Sequence, residues 1–213
     1  MWENYNSILY NADALFLDKI DNSDGIVFAS PNYSFHVSGQ MKIFLDRFGF
    51  LFHRPCFFGK VSTSIVVQGF YAGEKISRYF NFLENGLGFN VVDGRCLTML
   101  DPMTAKDKKK IDMVLKKQSR TFYSKLTGKK YPSPSVFKLM IFRMSRTSIN
   151  LLLDESNRDY AYYKKNGWFE SEYYYPVQLC LFKRLFGKLF DSVFYSIYKK
   201  KKLADVKELI IKL

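Results

Sequence analysis

Two short stretches hold the residue types that could do chemistry, SPNYSFHVS at 30–38 and GFYAGE at 69–74. Pro31 stiffens the chain, Asn32 tolerates tight turn geometry, and Tyr33 offers a flat face with a polar tip. In the second stretch Gly69 and Gly73 permit close backbone approach, while Phe70 and Tyr71 add planar surface. Together the stretches describe a slot for a planar ring. The same residues also read as a plain Pro-Asn turn with aromatics that belong to core or interface. No acid–base or nucleophilic set accompanies them, and no catalytic side chain is nominated. His53, beside Arg54, reads as a helix terminator, and Cys56, between Pro55 and two Phe, as a buried thiol. Cys56, Cys96 and Cys180 are odd in number and far apart, which excludes a disulfide framework and a paired-cysteine metal site and points to a reducing compartment.

The elements that must position these loops alternate. GIVFAS (25–30) and VSTSIVVQG (61–69) are β-rich and apolar without strict alternation, as in strands covered on both faces of a parallel sheet; VVDGRCLTML (91–100) is the third. Between the first two, Met41, Phe44, Leu45, Phe48, Leu51 and Phe52 predict one helical face capped by Ser38. Ile76, Tyr79, Phe80 and Leu83 predict the next helix, stopping at Asn85-Gly86, and Thr104 to Asp107 a capping box before Ile111, Val114, Leu115 and Phe122. Strand and helix in turn predict an α/β layered sheet, in which ligands sit at the carboxyl ends of strands. Both loops lie there.

SDGIVFASPNYSFHVSGQMKIFLDR resembles the segment of flavodoxin-like NAD(P)H-dependent FMN reductases in which a buried strand leads to a Ser-Pro-x-Tyr loop and then to Ser-x-Gln-x-Lys opening a helix that ends in Asp-Arg. FFGKVSTSIVVQGFYAGEKI resembles the next strand with its Gly-bearing flavin loop, and NGLGFNVVDG the approach to the last strand, so that the likeness covers about residues 12–125. It implies a flavodoxin-like three-layer parallel sheet, FMN and NAD(P)H as cofactors, and hydride transfer to an unnamed acceptor. The flavin-binding positions it implies are Ser30, Pro31, Asn32, Tyr33, Gly69, Phe70, Tyr71 and Gly73. His36 stands either at the ring edge or nicotinamide, or at the surface. The resemblance also implies an opening strand and phosphate loop ahead of Ala12, Leu15, Phe16, Lys19 and Ile20, which this sequence is expected to lack. An apolar sheet edge and self-association follow as expectations. The alternative is a non-catalytic or partner-dependent module of the same family.

Charge divides the chain. Residues 1–100 hold 8 Lys and Arg against 9 Asp and Glu, and residues 101–213 hold 25 against 11. A flavodoxin-like domain at 1–128 and a basic, aromatic-rich helical extension at 129–213 are expected. Within the extension, the segment DYAYYKKNGWFESEYYYPV at 159–177 resembles the C-terminal extension of some clostridial-type flavodoxin-family oxidoreductases. The extension opens with the helical SPSVFKLMIFRMSRTSINLLL, and its Tyr160, Tyr162, Tyr163, Trp168 and Tyr173 to Tyr175 read as a lid, a dimer arm or a structural skirt. Residues 181–198 place Phe182, Leu185, Phe186, Leu189, Phe190, Val193, Phe194 and Ile197 on one wide stripe, with Lys199 to Lys202 following. That pattern suits a core or dimer helix, or peripheral contact with an anionic membrane through 181–202. No nucleic-acid reading motif accompanies the charge, so nucleic acid is not an expected partner. The start lacks a basic stretch followed by an apolar one, and no run of 18 apolar residues occurs, so a cytoplasmic place is expected.

Overall fold

A computed structural model describes the backbone of residues 7–211 and the side chains of 14–201. Residues 1–6, and the side chains of Ala12 and Lys202 invoked above, lie outside the described part. The chain forms two compact units, Met1–Lys130 and Tyr131–Leu213.

The first unit runs α1 (Ser7–Asp21), β1 (Gly25–Pro31), α2 (Gly39–Arg47), a 3₁₀ turn (Gly49–Phe52), β2 (Val61–Gln68), α3 (Gly73–Gly86), β3 (Asn90–Val91), β4 (Arg95–Thr98) and α4 (Ala105–Leu126). Every strand pair is parallel. β2 is central, with β1 along one edge and β3 and β4 along the other. Ser38 caps α2 by accepting from Met41 N at 3.3 Å. The expected single helix to Phe52 splits after Arg47, where poor helix-forming Gly49 tightens the chain, yet Leu45, Phe48 and Leu51 all stay buried. Thr104 and Asp107 close the capping box at α4.

Phe28, Phe80, Phe57 and Phe89 centre the core, stacked in pairs with centroids 5.9 and 4.7 Å apart. Burying each such ring is worth about 2–3 kcal/mol. Residues 61–64 of β2 are buried throughout, as a strand covered on both faces requires. β1 corrects the same expectation. Its Phe28 and Ser30 face inward while Val27 and Ala29 are exposed, because α4 lies along β2 and β4 and meets β1 at its start, where Phe122 crowds Gly25. The third strand is broken in two. The register against β2 slips by one residue between Ser62↔Val91 and Ile65↔Arg95. At the slip, Asn81 Oδ1 accepts from Gly94 N at 3.0 Å, and any Cβ on Gly94 would lie 2.0 Å from Ser64 Oγ.

Polar groups bracket β2 on both sides. Gln118 Nε2 donates to Thr63 Oγ1 at 2.7 Å and to Ser64 O at 3.0 Å, while Ser62 Oγ donates to Glu84 Oε2 at 2.9 Å. Glu84 is 1% exposed and its Oε1 has no partner. Burial pushes its carboxyl up to about 8, with nearby Asp93 adding to the rise and the Ser62 hydrogen bond opposing it.

In the second unit α5 (Val136–Leu152), capped by Ser135, packs along α7 (Leu181–Ile211), with α6 (Arg158–Lys165) between them in the chain. Asp191 of α7 pairs with both Arg143 and Arg146 of α5, and Arg146 Nη1 also donates to Ser171 O at 2.6 Å. Gly187 fits against the Arg143 guanidinium, 3.0 Å from where its Cβ would stand. The fully buried Phe142 meets Tyr173 and Tyr174 edge-on at 5.5 and 4.6 Å, and Trp168 Nε1 donates to Tyr174 O at 2.9 Å. Tyr163, Trp168 and Tyr173 are thus core of this unit, a structural place in keeping with the third of the readings above rather than with a lid or dimer arm.

The Glu84 carboxyl and the Asp191 ion pair each carry a test. The folded Glu84 carboxyl keeps its proton to about pH 8 and the unfolded one releases it near 4.5, so its stabilising contribution is complete below about 4.5 and drains away as pH rises to about 8. Glu84→Gln is expected to remove that slope and to raise stability by roughly 2 kcal/mol or more at about pH 8 in urea titrations run across the window. Asp191→Ala strands two part-buried guanidiniums and is expected to cost about 3–5 kcal/mol in the unfolding of the second unit, followed by tyrosine and tryptophan fluorescence.

Candidate functional site

The parallel register sets the site. Pro31 pairs with Val67, so β1 and β2 end level and release their loops side by side. Asn32 then ties the loops together: its backbone N donates to Val67 O at 2.7 Å and its Nδ2 to Tyr71 O at 2.6 Å. Its Oδ1 is buried with no partner, an acceptor left over at the junction.

Beyond Asn32 the first loop folds into a two-residue hairpin. Tyr33 and His36 exchange both backbone hydrogen bonds at 3.0 Å, with Ser34 at φ 50° and Phe35 at φ 65°. Such a turn favours Asn-Gly, so Ser-Phe here is strained and holds Phe35 outward. Ser30 Oγ accepts from Ser38 N and donates to Pro31 O, both at 3.0 Å, which fastens the two ends of the loop to each other. Ser30 is buried, so its hydroxyl is committed inward.

The rings lie open. Tyr33, Phe35, Phe70 and Tyr71 are 65, 66, 87 and 62% exposed, and Phe35 meets Tyr71 edge-on across the loops at 6.2 Å. A monomeric surface seldom spends four large rings in one place without a ligand or partner. His36 is exposed and rests against the Tyr79 ring at 5.5 Å. Gly69 has open space where a Cβ would stand, whereas a Cβ on Gly73 would be 2.4 Å from Cys96 Sγ and 2.7 Å from Gln68 Oε1. Gln68 Oε1 also accepts from Gly73 N at 2.6 Å. Gly73 therefore seats α3 on β4, and Ala72 at φ 70° turns the loop into it. Phe35, Gln68 and Cys96 escaped the reading of the sequence; Phe35 sits in a Ser-Phe turn that carries no hairpin signal.

Cys56 is exposed, not buried as expected, yet desolvation around its sulfur pushes the thiol up to about 11, with Asp21 adding to it. Desolvation also takes Cys96 to about 11. Neither is a ready thiolate. Among the described residues no group of three His, Cys, Asp or Glu is placed to hold a metal. An apolar groove of about 720 Å³ runs along β1, walled by Phe16, Phe28, Met41 and Phe44, and reaches Pro31 and Ser38 of the first loop.

The pattern of the NADPH-dependent FMN reductase family matches residues 10–98, which include both loops. An iron-sulfur flavoprotein of Archaeoglobus fulgidus is 30% identical over 162 residues, spanning 70% of this chain and 67% of that protein. The chain belongs to the flavodoxin-like FMN reductase family. Similar solved structures include a WrbA-like flavodoxin from Agrobacterium tumefaciens, at 18% identity and TM-score 0.40 over 51% of this chain and 71% of that one. RosB with a bound 8-demethyl-8-formylriboflavin-5'-phosphate intermediate is another, at 12% identity and TM-score 0.45 over 85% and 72%. The parallel sheet flanked by helices is the flavodoxin-like fold of this FMN reductase family.

The packing of Gly73 is directly testable. Gly73→Ala is expected to cost about 1–3 kcal/mol through collision with Cys96 and Gln68, and Cys96→Ala in the same chain to return part of that loss. Urea denaturation of the wild type, both single variants and the double variant measures the coupling.

Proposed function

We propose that this member of the FMN reductase family is a flavin-dependent oxidoreductase that binds FMN between the loops after β1 and β2 and takes hydride from NAD(P)H for a downstream acceptor. What supports the reading is the Asn32 junction: one amide joins the two loops through Nδ2 while its Oδ1 is left as an unanswered acceptor amid exposed rings. A polar-edged planar ring answers both features, since its N–H groups need acceptors and its faces need flat apolar cover.

When bound, the flavin supplies the two-electron chemistry between a reduced nicotinamide and the acceptor. The chain's own residues bind and orient. Asn32 Oδ1 would accept a ring N–H, and Tyr33, Phe70 and Tyr71 would cover the ring and exclude water. The backbone at Pro31 and Gly69 would approach its edge, with Gly69 open to the ligand. Ser30 and Gly73 act as positioning residues, the one fastening the first loop and the other seating α3 beneath the second. No side chain is asked to move a proton.

The iron–sulfur centre in the relative's name does not fit here. Cys56, Cys96 and Cys180 are free thiols, and no group of three His, Cys, Asp or Glu among the described residues is placed to hold a metal. A cytoplasmic place accords with the described helices, none of which is long and apolar enough to cross a membrane.

Titration of FMN with the purified chain is the test. Saturable quenching of flavin fluorescence is expected, weakened about tenfold by Asn32→Ala and by Phe70→Ala, with NADPH bleaching the bound flavin near about 450 nm; a lost hydrogen bond or stacking face of about 1–1.5 kcal/mol sets that size. Unchanged fluorescence at any protein concentration returns the chain to the alternative, a non-catalytic or partner-dependent module.

A further inference from the structure

The single wide apolar stripe of α7 is two faces in the structure. Phe186, Phe190, Phe194 and Tyr198 form a ladder of rings, with successive centroids 5.9, 6.1 and 6.5 Å apart, on the side that carries Gly187 and Asp191 to α5. The other side keeps Leu181, Leu185, Leu189, Val193 and Ile197, one every fourth residue, with Phe182 beside them. These six are 44 to 71% exposed. They make a ridge about 24 Å long that no described side chain of the second unit covers.

Charge decides what can cover it. Between residues 181 and 201, α7 has six cations and one carboxylate, Asp191. Asp191 is taken by Arg143 and Arg146 on the inner side. Of the cations, Lys183 is held by Ser133 Oγ and Pro134 O, and Arg184 is shared with Glu172 at 3.2 Å. Lys188 on the flank and Lys199, Lys200 and Lys201 beyond the end of the ridge are exposed. A second copy laid face to face on this ridge would bring lysines to lysines, with no carboxylate among the described residues of the face to answer them. An anionic lipid surface offers acyl chains to the ridge and phosphates to the lysines at once.

We propose that the outer face of α7 docks the chain on an anionic membrane surface, lying in the interface without crossing it. The ridge enters the acyl boundary, and the four exposed lysines meet headgroup phosphates, holding the protein at the bilayer independently of flavin. The binding needs both parts. Neither a neutral bilayer nor a soluble phosphate supplies them together.

The test is flotation of the full-length chain with extruded vesicles of phosphatidylcholine alone or mixed with equal phosphatidylglycerol, read by the bound fraction. Binding to the mixed vesicles is expected, with little on phosphatidylcholine, suppression by high salt, and no competition by inorganic phosphate. Leu189→Glu places a carboxylate in the ridge at a half-exposed position and is expected to abolish binding. Replacing Lys199, Lys200 and Lys201 with Gln leaves the apolar packing untouched and is expected to lower partitioning roughly a hundredfold, about fivefold for each cation. Equal binding to both vesicles, no binding to either, or loss of an Leu189-dependent dimer in place of vesicle binding overturns the proposal. Because the readout contains no flavin, its failure is distinct from failure of the FMN site.

Discussion

The parallel ladder between β1 and β2 is the constraint on which the first unit depends. It runs unbroken from Gly25↔Val61 to Pro31↔Val67 and carries directly into the Asn32 N to Val67 O bond. A slip of one residue would turn Phe28 and Ser30 out of the core and bring Val27 and Ala29 in. It would also part Asn32 from Tyr71, and with them the two loops. Register therefore acts on two scales, fixing which side chains fill the core and whether the loops meet at the level where a planar ligand can touch both.

β2 holds this position with an unusual composition. Ser62, Thr63 and Ser64 are buried at the centre of the sheet, where Val or Ile would cost nothing to desolvate. The hydroxyls of Ser62 and Thr63 are met by Glu84 from α3 and Gln118 from α4, and Gln118 also donates to the backbone O of Ser64, so polar groups register both helices against one strand. Small side chains also leave room for Gly94 to come against Ser64, which is where the third strand breaks. The cost is a carboxyl that must stay protonated to remain buried, and it falls on the element that follows the second loop.

What the sequence made legible follows from local physics. Alternation of elements, the Ser38 and Thr104 caps and the buried stretch of β2 depend on residues near one another in the chain. The open face of β1 did not show, because Val27 and Ala29 are as apolar as any buried pair and only the reach of α4 leaves them bare. Gly73 looked like a glycine that admits a ligand, yet its missing Cβ is space taken by Cys96 from a strand more than twenty residues on. The loops were legible as rings with a turn; the orphaned Asn32 Oδ1 was not, since which amide atom finds a partner is decided only when Tyr71 O arrives from the neighbouring loop.

The same limit governs α7. Periodicity reports that a stripe is wide, and width alone does not say how many helices it must serve. Here one neighbour, α5, uses part of it, and the division is made by Asp191: a single carboxylate drawn inward by two arginines fixes the helix's rotation about its axis. That rotation turns the half-buried phenylalanine ladder toward α5 and the leucine row outward, and removes from the outer face the one negative charge between 181 and 201. A buried ion pair of this kind adds little net stability against an apolar substitute. Its consequence is orientation, and the orientation makes the exposed side of α7 between residues 181 and 201 both apolar and basic.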